Sequence, residues 1–94
     1  MNYKKIRKLQ KEHGVDVMQR LIDEGAVWHM EGTMGRNAME LLETGQCMLP
    51  KKQYKDFYGN IIPSRDDVKP GTTGSYQNAA KYWDSIHDYD ALYV

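Results

Sequence analysis

At 94 residues the chain is sized for one domain, near the lower limit at which a single hydrophobic core sustains a fold. Thirteen basic and thirteen acidic side chains sum to zero, which argues against a dedicated nucleic-acid or membrane-surface binder working through net attraction. The lone cysteine, Cys47, excludes an intrachain disulfide and a Cys-based zinc site.

Seven Tyr and six Met stand against one Phe, a modest core with much amphipathic surface, so a homo-oligomer is expected. The charge is also uneven. Residues 1–13 form a basic helical arm with Lys4, Lys5, Arg7, Lys8 and Lys11 against Glu12 alone, and residues 84–94 form an acidic tail with Asp84, Asp88 and Asp90. Opposite signs at the two ends predict that they approach each other. No apolar stretch follows the basic start and none reaches spanning length, which points to a cytoplasmic protein.

In chain order, Tyr3, Ile6 and Leu9 are spaced as a short amphipathic helix that Gly14 interrupts. Val15, Val17, Met18, Leu21 and Ile22 continue as a second helix that stops at Gly25. AVWHME reads as an extended or irregular link. Thr33 then looks like the cap of the clearest helix, GRNAMELLETG, with Ala38, Leu41 and Leu42 on one face, Arg36 and Glu40 at i,i+4, and Gly45 at its end. QCMLP reads as one short strand, and KKQYKDFYGNIIP as a small hairpin turning at Gly59-Asn60. Pro63 and Pro70 punctuate a loop before a last helix capped by Ser75, with Tyr76, Ala79, Ala80, Trp83 and Ile86 on its apolar stripe. The expected fold is a single compact domain over residues 1–94, mainly α with three to four helices and a minor β element, within reach of a small α+β arrangement.

Two stretches have the composition of anion sites. EGTMGR opens the central helix, where unpaired N–H groups, the helix dipole, Gly32, Thr33 and Gly35 would meet an anion gripped by Arg36. The second runs from PSR to KPGTTGS. Ser64, Arg65, Lys69, Gly71, Thr72, Thr73, Gly74 and Ser75 offer the cations, hydroxyls and glycine-turn N–H groups that a phosphate requires. GTTGS lacks the lysine and spacing of a Walker A loop, so nucleotide hydrolysis is not implied. Trp28 and Tyr58 could stack a base, while Phe57, Tyr76 and Trp83 are read as core. Each stretch also has a plainer reading, as a capped helix start or a surface turn.

Catalytic signatures are poor. Cys47 sits in apolar company that buries a thiol rather than activating it. His29 with Glu31, or Asp84, His87 and Asp88, are isolated histidines near carboxylates, more typical of surface than of a metal centre. No enzyme, cofactor or metal is therefore expected.

The block LIDEGAVWHMEGTMGRNAMELLETG through YKDFYGNIIPSRDDVKPGTTGS, roughly residues 19 to 80, resembles a family of small proteins of tailed bacteriophages. They share the segments W-x-x-EG-x-x-GR-x-AM and YGN-x-x-PSR-x-x-VKPGT-x-GS. The resemblance implies phage origin and a host-cytoplasm setting, and no reaction. The first expectation is a non-enzymatic sponge for a phosphate-bearing nucleotide immune signal, with Arg36 and Arg65 converging on the phosphate. The alternative is a protein–protein inhibitor of a host or defence enzyme, in the manner of an anti-CRISPR or a polymerase modulator. A nucleic-acid binder using the basic N-terminal arm ranks third, because zero net charge and the compensating acidic tail count against it.

Overall fold

Two small hydrophobic clusters share one dividing segment, and the helices are arranged around it. In a computed structural model, which describes the backbone of residues 1–92 and the side chains of residues 1–86, the order is α1 (Tyr3–Glu12), α2 (Asp16–Asp23), a 3-10 turn (Ala26–His29), α3 (Gly32–Thr44), β1 (Tyr54–Lys55), β2 (Ile61–Ile62) and α4 (Tyr76–Leu92). The fold is mainly α with a minor β element, as the periodicity predicts.

The first cluster joins Ile22 of α2, Val27 of the 3-10 turn, and Ala38 and Leu42 of α3 to Cys47 and Leu49. The second joins Ile6 and Leu9 of α1 and Ala79 and Trp83 of α4 to Met48. Residues 47–49 thus send alternate side chains into the two clusters, the period-2 pattern of a strand. They are nevertheless not a strand, because the partners of their backbone lie elsewhere. Cys47 N–H donates to Leu41 O at 3.0 Å and Leu49 N–H to Gly74 O at 2.9 Å. Met48 is held on both sides by one side chain: its N–H donates to Gln19 Oε1 at 2.7 Å, and Gln19 Nε2 donates to its carbonyl at 3.0 Å. Gln10 Nε2 also donates to Gln19 Oε1, at 2.9 Å, and ties α1 to the same post. Buried backbone must be paired, and at Met48 the Gln19 amide does what a neighbouring strand would.

The helix ends follow local chemistry. Asn2 Oδ1 accepts from Lys5 N–H at 2.8 Å and caps α1, and Ser75 Oγ accepts from Asn78 N–H at 3.1 Å and caps α4. Gly45 ends α3 with φ of 95°, and a Cβ there would lie 2.8 Å from Tyr82 Cβ, so the turn needs glycine and lets α3 meet α4 closely. Thr33 is not the cap of α3. That position falls to Glu31, whose side chain makes no capping bond. AVWHME is likewise mostly a 3-10 turn rather than an extended link.

The basic N-terminal segment is built into the core through Ile6 and Leu9 and does not stand apart as an arm. The expected approach of the two ends is seen. The Met1 ammonium lies 3.8 Å from the Asp84 carboxylate, and the Tyr76 hydroxyl donates to Met1 O. The side chains of Asp88 and Asp90, in the predicted acidic tail, lie outside the described residues. β1 and β2 pair antiparallel, Tyr54 with Ile62 and Lys55 with Ile61. The tip between them is tied by Asp56, whose Oδ1 accepts from Tyr58 N–H at 2.9 Å and Asn60 N–H at 2.8 Å.

Candidate functional site

Arg65 belongs to the interior. It is 7% exposed, and its guanidinium is spent within the fold. Nε donates to Leu49 O at 2.8 Å, Nη1 to Tyr3 Oη at 2.7 Å, and Nη2 to Asp23 Oδ1. A side chain with all three nitrogens engaged has no fork left for a phosphate. Arg36, in contrast, is exposed on α3. Its Nη2 reaches Thr33 Oγ1 at 3.4 Å, and no carboxylate, Glu40 included, lies within 4.0 Å of it among the described residues. The two arginines therefore do not converge, and the reason is the electrostatic demand of Asp23, which draws Arg65 inward.

The GTTGS loop also turns its polar groups on itself. Gly71 N–H donates to Ser75 Oγ at 3.1 Å, Thr72 N–H to Lys69 O at 3.1 Å, and Ser75 N–H to Thr72 O at 3.0 Å. The Thr72 hydroxyl also donates to Lys69 O. Gly74 has φ of 82°, and a Cβ there would fall 2.4 Å from Leu49 Cγ, so this glycine serves packing. Ser64 is buried, and its carbonyl accepts from Asp67 N–H at 3.1 Å in a turn. Thr73 and Lys69 are exposed. Gly71, Thr72 and Ser75 thus spend their polar groups within the turn that delivers α4.

The other candidates do assemble. Trp28, Gly32, Gly35, Arg36 and Tyr58 line one open groove of about 920 Å³, between the start of α3 and the hairpin tip. Thr33 stands beside it, exposed and under Arg36. Met30, Met39 and Phe57 add to its apolar wall, and Glu31, Glu40 and Asp56 set three carboxylates against Arg36 and His29. Phe57, expected in the core, is 76% exposed, and Tyr58 is 85% exposed. The two rings stand edge to face, with centroids 5.4 Å apart. A two-residue strand followed by a tight tip cannot turn adjacent aromatics into one small core, which is why Phe57 is outside.

The glycines of the groove make no structural demand. Neither Gly32 nor Gly35 has a positive φ. A Cβ on Gly35 would meet nothing within 4 Å, and one on Gly32 would meet only the Arg36 guanidinium at 3.7 Å. Their effect is to leave bare backbone on the groove wall.

Ionisation is unusual at two places. Burial first, and the nearby Asp23 carboxylate second, push the Cys47 thiol up to about 12, so it stays protonated and inert at neutral pH. Desolvation alone would raise the Asp56 carboxyl. The N–H groups of Asn60 and Tyr58, the Asn60 amide and the His29 charge outweigh it and hold the carboxyl below its ordinary value. Among the described residues no three His, Cys, Asp or Glu side chains gather as metal ligands, and His87 and Asp88 lie outside them.

Sequence reasoning missed Met30, Met39, Phe57 and the groove carboxylates. The chain turns at Phe57-Tyr58, not at Gly59-Asn60, since Gly59 N–H donates to Asp56 O at 3.1 Å, and two aromatics at the centre of a turn are carried outward together.

Together these features define a small helical domain with an exposed aromatic and methionine groove. Neither a family model, nor a curated protein, nor a solved structure matches the chain. No described helix is long and apolar enough to cross a membrane.

Proposed function

We propose that the protein acts by contact, as a small non-enzymatic binder whose groove holds a segment of a partner protein. The observation that carries this reading is the composition of that groove: Met30, Met39, Phe57 and Tyr58 are exposed together, and Glu31, Glu40 and Asp56 line it with them. Isolated exposed apolar residues are ordinary on a protein surface, whereas a contiguous set rimmed by charge marks an interface. Aromatic residues, Met and Arg are the types enriched at such surfaces, and Met adapts its shape to what it meets. Three carboxylates against Arg36 and His29 favour a cationic occupant: an apolar or aromatic anchor flanked by Lys or Arg. The resemblance to small bacteriophage proteins suggests a setting in the infected cell, where such a contact would block a host or defence enzyme.

The nucleotide sponge is the second reading. It is favoured by the placement of Trp28, Tyr58 and Arg36 along one groove, and opposed by the carboxylates and by the loss of Arg65 to the interior. Selection from a displayed random peptide library separates the two. Recovered peptides should share a basic residue beside an apolar anchor. Their binding should be lost in Met39→Glu and kept in Val17→Glu, which alters an exposed apolar residue on α2. Failure to enrich, or an acidic consensus, would overturn the contact reading. Calorimetric binding of a mono-, di- or cyclic nucleotide, lost in Arg36→Ala, would put the sponge in its place. Closure of the groove on a second copy would appear in light scattering as a mass above 10.9 kDa.

A further inference from the structure

A second face of the molecule has the opposite chemistry. Lys4, Lys8 and Lys11 are spaced i, i+4, i+7 along α1 and form one stripe, opposite the side that buries Ile6, Leu9 and Gln10. All three are exposed, as is Lys5 on their flank. Lys51 lies beside α1 at its Tyr3 edge, with its Nζ 6.0 Å from the centre of that ring, and Lys52 places its Nζ 5.4 Å from that of Tyr54. Arg7 sits on α1 between Tyr3 and Lys11 on the helical circuit, half-buried. The carboxylate beneath this face, Asp23, is already shared by Arg65, by Arg7 at 3.8 Å and by Gln19 Nε2 at 3.1 Å. Among the described residues none of the six lysines has a carboxylate within 4.0 Å. Glu12 is the acidic residue of α1. The formal sum of zero hides this separation, because three of the carboxylates that cancel it line the groove.

We propose that the face formed by α1 and the Lys51–Lys52 corner binds the phosphate backbone of a nucleic acid without reading its sequence. Three features select that partner. The face offers cations with Glu12 alone among them, between Lys8 and Lys5 on the helical circuit, and no exposed large apolar side chain of α1, whereas a protein interface carries an apolar core inside its polar rim. The apolar residues of α1 are buried, so the helix has nothing to insert into a lipid surface, as an amphipathic membrane helix must. The stripe from Lys4 to Lys11 spans about 10 Å of helix axis, the rise of about three nucleotides along one strand. Cations on such a stripe displace condensed counterions, and that release drives sequence-independent binding. This surface is independent of the groove, and a protein carrying both could hold a partner protein on nucleic acid.

The test is fluorescence anisotropy of a labelled 20-base-pair duplex of arbitrary sequence, titrated with the full chain across a salt series. Wild type should bind at low salt, with log K against log salt falling at a slope of about −3, as about three displaced phosphates require. Lys4→Gln/Lys8→Gln/Lys11→Gln should lose at least tenfold in affinity and most of the slope. The triple Lys→Arg variant should retain both, and Lys69→Gln/Lys81→Gln should match wild type. No duplex binding at low salt, or a triple Gln variant equal to wild type, overturns the proposal. So does binding to phosphatidylserine vesicles with none to the duplex.

Discussion

Arg65 and Asp23, 42 positions apart, form the ion pair that fastens the second half of the chain to α2. The pair is largely buried, and Tyr3 and the Leu49 carbonyl take the other guanidinium donors. Removing one partner of such a pair leaves an uncompensated buried charge, which costs roughly 3–5 kcal/mol. Arg65→Ala should therefore lose much of a total stability that for a small domain is about 5–15 kcal/mol. Arg36→Ala, at an exposed site, should change stability by no more than about 0.5 kcal/mol. Urea unfolding of both variants makes the comparison, and equal midpoints would contradict the assignment of Arg65 to the interior.

Gln19 is the second fastening. Gln19→Leu keeps the volume but strands the N–H and the carbonyl of Met48, each buried group costing about 1–3 kcal/mol when left unpaired. A large drop in the unfolding midpoint is expected, with faster hydrogen exchange at the Met48 amide. An unchanged Met48 exchange rate would mean that this bond does not hold the dividing segment.

The hairpin tip should be sensitive to acid. The folded Asp56 carboxyl titrates below its ordinary value of 3.8. It therefore favours the folded tip above that value, and the effect is lost as pH falls through the lower folded value. A carbon-13 titration of Asp56 should give a midpoint under 3.8, with the Tyr58 and Asn60 amide signals moving in parallel. A midpoint at or above the ordinary value would show that these hydrogen bonds are absent in solution.

Gly35 tests whether the groove is kept open at the expense of helix stability. Gly35→Ala adds a Cβ that meets nothing within 4 Å, so α3 should gain up to about 1 kcal/mol from helix propensity. Thermal denaturation should report a higher midpoint, while affinity for a groove-binding peptide should fall. A destabilised variant would mean that the glycine has a structural role.

The helices were legible because their apolar periodicity, their glycine stops and the Ser75 cap are local features, and local chemistry decides them. The hairpin was legible for the same reason. The dividing segment was not: its alternation of Cys47, Met48 and Leu49 reads as a strand, and nothing near it in sequence reveals that Gln19 replaces the strand's partner. Arg65 was misplaced for a related reason, since its burial depends on Asp23, which sequence separation hides. Of the residues read as an anion site, Trp28, Gly32, Gly35 and Arg36 line one groove because they are near neighbours in sequence, and Tyr58 joins them from the hairpin tip. In GTTGS the donors of Gly71, Thr72 and Ser75 are engaged within the tight turn itself, which sequence alone does not reveal.

Amide chemical-shift mapping tests the groove most directly. Titrating the nitrogen-15-labelled chain with a library-selected basic peptide should move signals at Trp28, Met30, Gly35, Met39 and Phe57 to Tyr58, and leave Gly71 to Ser75 in place. Shifts confined to residues 64–75, or a nucleotide that moves the groove signals when no peptide does, would contradict the account.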